Sequence, residues 1–580
     1  MGNSRNRSRK RVKITPRKPA KKFKYGDDHV ENTCPSGVEI GDQSADYGVE
    51  RDHIDSIKEG TIFIDLSVLF GVFEDVLKCP ECGDDTTAHI DLNKKHGFSQ
   101  YVVLDCRDPR CDWKHCFHTS KKHGRSFEIN VRSVLGFREI GKGHNAMQTF
   151  AKVMNMPPPP TRKNFTKIQN KQLFPIIEQL ANDSMTTDAF KVKEACGNDE
   201  GECGISLDGT WQKRGHASHN GVVTAISLST KKCVDVEVLS DKCKECQKWK
   251  KKQSDPRYEV WKANHLCKIN HSGSSNSMET VGAVRIFERS VATRGLKYIH
   301  MLGDGDSSTY NNIVDRKPYG DELIPNKLEC IGHVQKRVGS RLRRLKNANK
   351  GVKLQDGKGL AGKGRLTDGK IDILQNYYGL AVRNNLNDVE KMARDIKASL
   401  YHVASTDANP QHQLCPDGEN SWCQYKVSPE TYKHKNGLAK CIVELIEPVF
   451  DSLCDQRLLE KCTHGLTQNV NECLNGLIWE RCPKSTYAEK ETVALATYLA
   501  VLKFNDGDIF FIKIFEDLNI TPGKFTCEAT KVCDINRNKC STKQKTETVK
   551  NRRKFLRHQR KSYMDKAEAI EGPTYEKGGF

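Results

Sequence analysis

The sequence predicts an α/β core, and three observations carry that prediction. Short apolar runs with strand patterning recur from about residue 203, two of them ending beside an aspartate. Helical spacing fills the stretches between and after them, and cysteines pair at two-residue spacing in two places. With 580 residues at 36% hydrophobic content, the chain is long enough to bury more than one core.

The charge is placed unevenly. The formal net charge is +20, yet residues 1–24 hold 11 Lys/Arg and no carboxylate, and residues 543–566 hold 10 Lys/Arg against Glu547 and Asp565. These two stretches supply 19 of the 20 charges, which excludes a uniformly basic coat and leaves a nearly neutral middle between cationic arms. Residues 1–58 and 543–580 read as disordered basic segments suited to nuclear targeting and salt-sensitive DNA capture. No run of ~18 apolar residues predicts a membrane span. The N-terminus lacks the apolar stretch of a secretory signal, and Asn6 stands where a myristoylation signal needs Ser or Thr. The 23 cysteines are odd in number and often paired or near histidines, which favours a reducing compartment, here the nucleus, and bound zinc.

A zinc-ribbon-like domain is expected over 59–135. It opens on the alternating run TIFIDLSVLFGVF (61–73), and a first knuckle, Cys79 and Cys82, follows. The strand-like YVVLDC (101–106) then delivers Cys106, with Cys111 beyond it and Cys116 or His118 as alternative ligands. Two knuckles flanking a strand can close a tetrahedral Zn²⁺ site, whose binding energy substitutes for a core too small to fold alone. Residues 136–202 read as a helical linker, broken at Pro157–Pro160 and helically spaced over 168–196.

The core is expected over 203–505. Cys203 to Trp211 reads as a strand ending in Asp208 and a turn. GVVTAISL (221–228) and CVDVEVL (233–239) add an antiparallel meander, and LKYIHML (296–302) ends in Gly303-Asp304-Gly305-Asp306. KLECIGHV (327–334) is a shorter strand leading into a basic helix, and Glu472 sits near a helix start in TQNVNECLNGLIW (467–479). Strand-Asp, meander, strand-Asp, strand, helical insertion and helix-Glu is the layout of an RNase H-like nuclease core. Such a core gathers hard oxygen ligands on two Mg²⁺ ions about 3.5–4 Å apart for phosphoryl transfer. Asp304 is preferred to Asp306 because it lies nearer the strand end.

Two insertions interrupt this core. The first, about 240–275, carries Cys243, Cys246, His265 and Cys267, good spacing for a second zinc knuckle, with His271 nearby. The second, about 345–465, has helical patterns at 370–382 and 441–450 that suggest an all-α subdomain. Cys415 and Cys423 lie inside it, as a third metal element or, on the preferred reading, as buried thiols. Residues 506–542 form a C-terminal extension with a strand-like segment, IFFIKIF (509–515).

The strings DGTWQKRGHASHNGVVTAIS (208–227), LGDGDSSTYNNI (302–313), ECIGHVQKRVGSRL (329–342), DGKGLAGKGRLTDGKIDILQNYYGLAVR (356–383) and CTHGLTQNVNECLNGLIWERCPK (462–484) resemble Mutator-like DNA transposases, in particular an animal branch with cysteine-rich insertions. The resemblance implies that Asp208, Asp304 and Glu472 form the catalytic Asp-Asp-Glu triad, and that Cys330 and His333 are the Cys-x2-His motif after the second aspartate. His333 can position water or a phosphate oxygen, or the pair can simply fix the strand-to-helix turn. Cleavage at transposon ends and strand transfer into target DNA follow, with Mg²⁺ or Mn²⁺ at the acids and one or two structural Zn²⁺. Two rivals are a transposase-derived DNA-binding protein that makes no use of the chemistry and a structure-specific nuclease. Working on two DNA ends implies a homo-oligomer by analogy.

DNA contact in the neutral middle has to come from local clusters. The best is 336–353, eight Lys/Arg and no acid, with Lys336, Arg337, Arg341, Arg343, Arg344 and Lys346 as the expected phosphate contacts. The glycine-rich run 356–365 lacks the GxxxxGK[ST] pattern, because Gly364 follows Lys363, so it reads as a flexible basic loop.

Overall fold

A computed structural model of the chain describes residues 60–549 apart from 198–199, 214–217, 306, 419–420 and 435–436, together with scattered positions from 551 to 559. The N-terminal arm, Asp306 and the last residues of the C-terminal tail lie outside the described residues.

The described chain opens on a helix, α1 (Leu66–Val76), within the alternating run at 61–73, whose period alone would suit a strand. Asp65 decides the difference: its side chain accepts the Ser67 N–H at 2.8 Å, a cap that starts a helix before the alternation can pair. An antiparallel sheet follows in the order β1 (Thr86–Ile90), β2 (Tyr101–Cys106), β3 (Lys114–His118), and then a short hairpin, β4 (Lys122–His123) and β5 (Ser126–Phe127). Helices α2 (Glu128–Glu139), α3 (His144–Val153) and α4 (Arg162–Ile168) lead through one π-helical turn into α5 (Phe174–Cys196). The helical segment expected as a bridge packs into the core, with Ile177, Ala181, Met185 and Val192 of α5 all buried.

The main sheet has five strands: β6 (Glu202–Trp211), β7 (Asn220–Ser227), β8 (Cys233–Ser240), β9 (Lys297–Gly303) and β10 (Asn326–Glu329), in the spatial order β10-β9-β6-β7-β8. β6, β7 and β8 form the expected meander, while β9 runs parallel to β6 and β10 parallel to β9. Asp208 does not end its strand. Antiparallel pairing with β7 continues through Gly209↔Val223 to Trp211↔Gly221, so Asp-Gly is not a turn here. KLECIGHV likewise gives up its second half to a helix, since β10 stops at Glu329.

Helices cover both faces of the sheet. In the first insertion, α6 (Lys244–Lys250) and α7 (Tyr258–Asn264) precede α8 (Ser277–Arg294), and α9 (Ser307–Arg316) joins β9 to β10. Val223 and Ala225 point to the face where Ala283, Ile286 and Phe287 of α8 pack. Arg289 of α8 forks onto the buried Asp235 carboxylate at 2.9 Å through both nitrogens, locking that helix to β8. Val222 and Ile226 point the other way, the period-2 alternation of a strand.

A long helix, α10 (Ile331–Ala348), leads into the second insertion, which is helical: α11 (Asp368–Asn384), α12 (Val389–Ala404), α13 (Gln424–Val427), α14 (Lys440–Leu453) and α15 (Gln456–Glu460). Val334, Val338 and Leu342 of α10 bury a stripe against Leu374 and Tyr378 of α11, Ile396 of α12 and Phe450 of α14. The chain returns to the sheet as α16 (Asn469–Arg481) and α17 (Lys490–Asn505), whose Leu474, Ile478, Ala500 and Val501 cover Val222 and Ile226. IFFIKIF, expected as a strand, lies largely within a helix, α18 (Phe510–Asp517), because a short apolar run broken only by Lys513 fits either period and Phe510 and Ile514 find a helical core. The last helix, α19 (Lys524–Lys545), reaches into the segment expected to be a disordered tail, and described positions from 547 to 559 are helical too. Among the described residues no helix is long and apolar enough to cross a membrane.

Candidate active site and metal clusters

Strand register sets two of the three acids. In the parallel pair β6–β9 the last partners are Ser206 and Leu302, so two residues further on Asp208, still paired with β7, and Asp304, just past the end of β9, lie where the two strands part. The Cys330 N–H donates to Gly303 O at 3.0 Å and brings the start of α10 to the same end.

The third acid comes in on α16, which is fastened to β6 by a polar zipper. Ser206 Oγ donates to Asn471 Oδ1 at 2.5 Å, Asn475 Nδ2 donates to Asp208 Oδ2 at 2.6 Å, and Trp479 Nε1 donates to Thr210 Oγ1 at 2.8 Å. The spacing explains the match. Every second strand residue advances about 6.6 Å along one face, and every fourth helical residue about 6.0 Å. Asn471 Nδ2 also reaches the Thr224 carbonyl, and Gln468 Nε2 the Leu207 carbonyl, at 3.3 and 2.7 Å. At the far end of the helix Arg481 pairs with Glu139 of α2. Glu472 stands exposed in the first turn of this fixed helix.

The three acids repel one another. Burial, and then the carboxylates of Asp304 and Glu472, push the half-buried Asp208 carboxyl up to about 7, against the opposing donation from Asn475. His333 belongs to the same cluster: burial and the Lys336 ammonium hold its imidazole below the usual histidine range, while Asp304 and Glu472 pull the other way. The two members of the Cys-x2-His motif separate in role. Cys330 is buried, and its Sγ accepts the Gln468 N–H at 3.3 Å, tying α10 to the start of α16. His333 keeps a buried Nδ1 without a hydrogen-bond partner, beside the acids.

The basic face of α10 is partly spent on structure. Arg337 Nη2 donates to the buried Glu329 carboxylate at 2.6 Å, and its guanidinium lies so close over Gly305 that any side chain there would collide with it. Arg343 pairs with Asp372, Lys346 with Asp368 at 3.0 Å, and Arg341 Nη1 donates to Ser452 Oγ at 2.6 Å. Lys336 and Arg344 are exposed.

Cysteines at both expected zinc positions converge. Cys79, Cys82, Cys106 and Cys111 form one group and Cys243, Cys246, His265 and Cys267 another, each with ligand atoms within 4.8 Å of one another. Zn–S and Zn–N bonds of about 2.3 and 2.0–2.1 Å imply tetrahedral edges of about 3.8 Å between two sulfurs and about 3.5 Å from sulfur to nitrogen. The observed edges run close to these: Cys79–Cys111 3.6 Å, Cys82–Cys106 3.4 Å, Cys246–Cys267 3.5 Å and Cys243–His265 Nε2 3.4 Å. Both groups can hold zinc. Cys116 and His118 stay outside the first, the His118 ring packing tilted against Phe127 at 4.6 Å. His271 stays outside the second, bonded through Nε2 to Ser274 O and Ser277 Oγ.

Asn471, Asn475 and Gln468 are site residues that the sequence reading missed. Their signal is present as Ser206-x-Asp208-x-Thr210 facing Asn471-x3-Asn475-x3-Trp479, two polar periods that mean nothing until strand and helix are known to touch.

An α/β domain with acids gathered at one end of its sheet and cysteine clusters grafted around it is the class of protein this geometry defines. The Mutator-like transposase description matches residues 60–423, well over half of the chain, and the protein belongs to that family. The match takes in Asp208, Asp304, Cys330 and His333 and ends before Glu472, whose place beside them rests on the fold. Comparison with curated proteins returns no match. Membership implies a transposase-type function and DNA binding.

Proposed function

We propose that the protein is a catalytically active DDE transposase with an RNase H-like core, cutting DNA at transposon ends and joining the freed end to target DNA. The observation that carries this reading is the convergence of Asp208, Asp304 and Glu472 from β6, β9 and α16, where burial and the two neighbouring carboxylates together disfavour the Asp208 anion, a cost that a bound cation relieves. The donor set fits Mg²⁺ or Mn²⁺: hard carboxylate oxygens, two presented by adjacent parallel strands and one by a fixed helix. Bound there, such ions supply an activated water or 3′-hydroxyl and stabilise the leaving oxygen. Asn475 holds Oδ2 of Asp208 in place and so orients the carboxylate for ligation. His333, neutral through burial, offers a lone pair or an N–H to water or a phosphate oxygen next to the acids. Lys336 and Arg344 are the α10 cations we assign to the DNA backbone, and the basic arms to nuclear entry and salt-sensitive capture. Paired subunits acting on two ends are part of the proposal.

The test is a labelled duplex carrying the element's terminal repeat, incubated with Mg²⁺ and wild type, Asp208→Ala or Glu472→Ala protein. Wild type should nick and join, and both variants should do neither. Equal cleavage by all three would remove the triad assignment. Tight binding without cleavage would favour a DNA-binding protein of transposase descent, and cutting without joining a nuclease.

A further inference from the structure

The helical insertion holds a third constellation, away from the acids. His402 lies in the last turn of α12, and His412, Cys415 and Cys423 come from the long loop that follows; the four ligand atoms lie within 4.8 Å of one another. We propose that these residues form a third structural zinc site, of Cys2His2 type, that folds the loop 405–437.

Three observations carry the assignment. The first is the geometry of the edges. His402 Nδ1 and His412 Nδ1 are 3.2 Å apart, where a zinc tetrahedron requires about 3.3 Å between two nitrogens. Cys423 Sγ lies 3.6 and 3.4 Å from those nitrogens and Cys415 Sγ 3.8 and 3.7 Å, around the required value of about 3.5 Å.

The second is an outer set of partners with a consistent proton order. A His412 bound through Nδ1 carries its proton on Nε2, which lies 2.8 Å from His434 Nε2. His434 accepts there and donates from Nδ1 to Asp407 Oδ1 at 2.7 Å. A histidine ligand whose far nitrogen is held by a second group that ends on a carboxylate is how metal sites fix ring orientation and tautomer. The Tyr425 ring stacks on His412 at 4.2 Å and closes the other side.

The third is what the loop lacks. Between residues 405 and 437, Cys415 and Cys423 are the only apolar side chains fully buried among the described residues. A stretch of this length whose core is only Ala398, Trp422 and Tyr425 around the two thiols needs another source of folding energy, and a closed metal site supplies it.

The experiment counts zinc in the purified full-length protein by elemental analysis. Wild type should carry three zinc ions per chain, one for each cluster, and a Cys415→Ser/Cys423→Ser variant two. His434→Ala should retain the ion but release it to a chelator at roughly 10–100-fold lower chelator concentration. A wild-type content of two, or a content unchanged in the double variant, would overturn the proposal. Should the double variant fail to fold, alkylation of wild type decides: Cys415 and Cys423 should become reactive only when chelator removes the third ion. Labelling indifferent to chelator would mean a pair of buried thiols.

Discussion

The acid site and the cysteine clusters are both ligand sets built on the same chain, and they differ in closure. At each cluster four ligand atoms already meet within 4.8 Å. The three carboxylates interact electrostatically but are not among the groups drawn that close, and two of them are exposed. A soft tetrahedral ion wants all four positions filled by protein. A pair of hard ions that must also bind phosphate and water wants positions left open. The clusters thus hold the protein together, whereas at the acids burial and neighbouring carboxylates disfavour the Asp208 anion at a cost in stability.

The largest expected effect breaks this comparison at the acids. Asp208→Asn should lower Mg²⁺-dependent cleavage by roughly a thousandfold or more while raising the stability of the metal-free protein by about 1–3 kcal/mol. The sign follows from the carboxyl at about 7, above the ordinary 3.8. The folded state then binds this proton more tightly than the unfolded state, so metal-free stability falls as pH rises from about 4 to about 7. Thermal unfolding should accordingly show a larger Mg²⁺ stabilisation at pH 8 than at pH 6, and the Asn variant should lose that difference. A variant no more stable than wild type without metal would show that the acids are not strained.

At the clusters the same operation should act in reverse. Cys79→Ser should remove one zinc and unfold the β1–β3 module, whose described buried apolar residues are few, chiefly Val102, Val103 and Leu104 beside Cys79 itself. Cleavage of DNA already bound should change by severalfold at most. Zinc content, proteolysis and a single-turnover cleavage assay measure the two effects separately. Loss of cleavage equal to that of Asp208→Asn would mean the ribbon takes part in the chemistry.

Legibility in the sequence follows the same division. Cys79-x2-Cys82 and Cys243-x2-Cys246 announce themselves because a knuckle is local, and their partners follow after one strand, β1, or two short helices, α6 and α7. His402-x9-His412-x2-Cys415-x7-Cys423 has no such spacing, so its thiols read as core. Strand periodicity exposed β6 to β9 and placed Asp208 and Asp304 at one end. It could not show that β6 runs on past Asp208, because that depends on β7 lying alongside. TIFIDLSVLFGVF and IFFIKIF misled for the reason that short apolar runs fit either period until a cap or a neighbour chooses. The basic stripe on α10 was visible as charge, but Glu329, Asp368 and Asp372, which neutralise half of it, come from other elements.

Asn475 sharpens the comparison at the boundary between structure and chemistry. Its amide lowers the Asp208 carboxyl, so Asn475→Ala should raise it further, moving the acid limb of the cleavage pH profile to higher pH. Cleavage at neutral pH should drop about 10–100-fold with DNA affinity unchanged, the loss expected when a ligand's hydrogen-bond partner is removed. A uniform loss with no movement of the profile would reduce Asn475 to a packing residue.

The smallest expected effect is one zipper step away. Trp479→Phe removes the 2.8 Å donation to Thr210 Oγ1 but keeps an aromatic ring in place, which should cost about 0.5–1.5 kcal/mol in denaturant unfolding. Thr210 sits two residues beyond Asp208 on the same face of β6, and its hydroxyl touches none of the acids' described partners. Cleavage and its pH profile should therefore stay at wild-type values. Were Trp479→Phe to shift the profile as Asn475→Ala does, the zipper would be tuning Asp208 through the position of the whole helix. The graded contrast between Asn475 as a partner of the acid and Trp479 as a fastener would then fail.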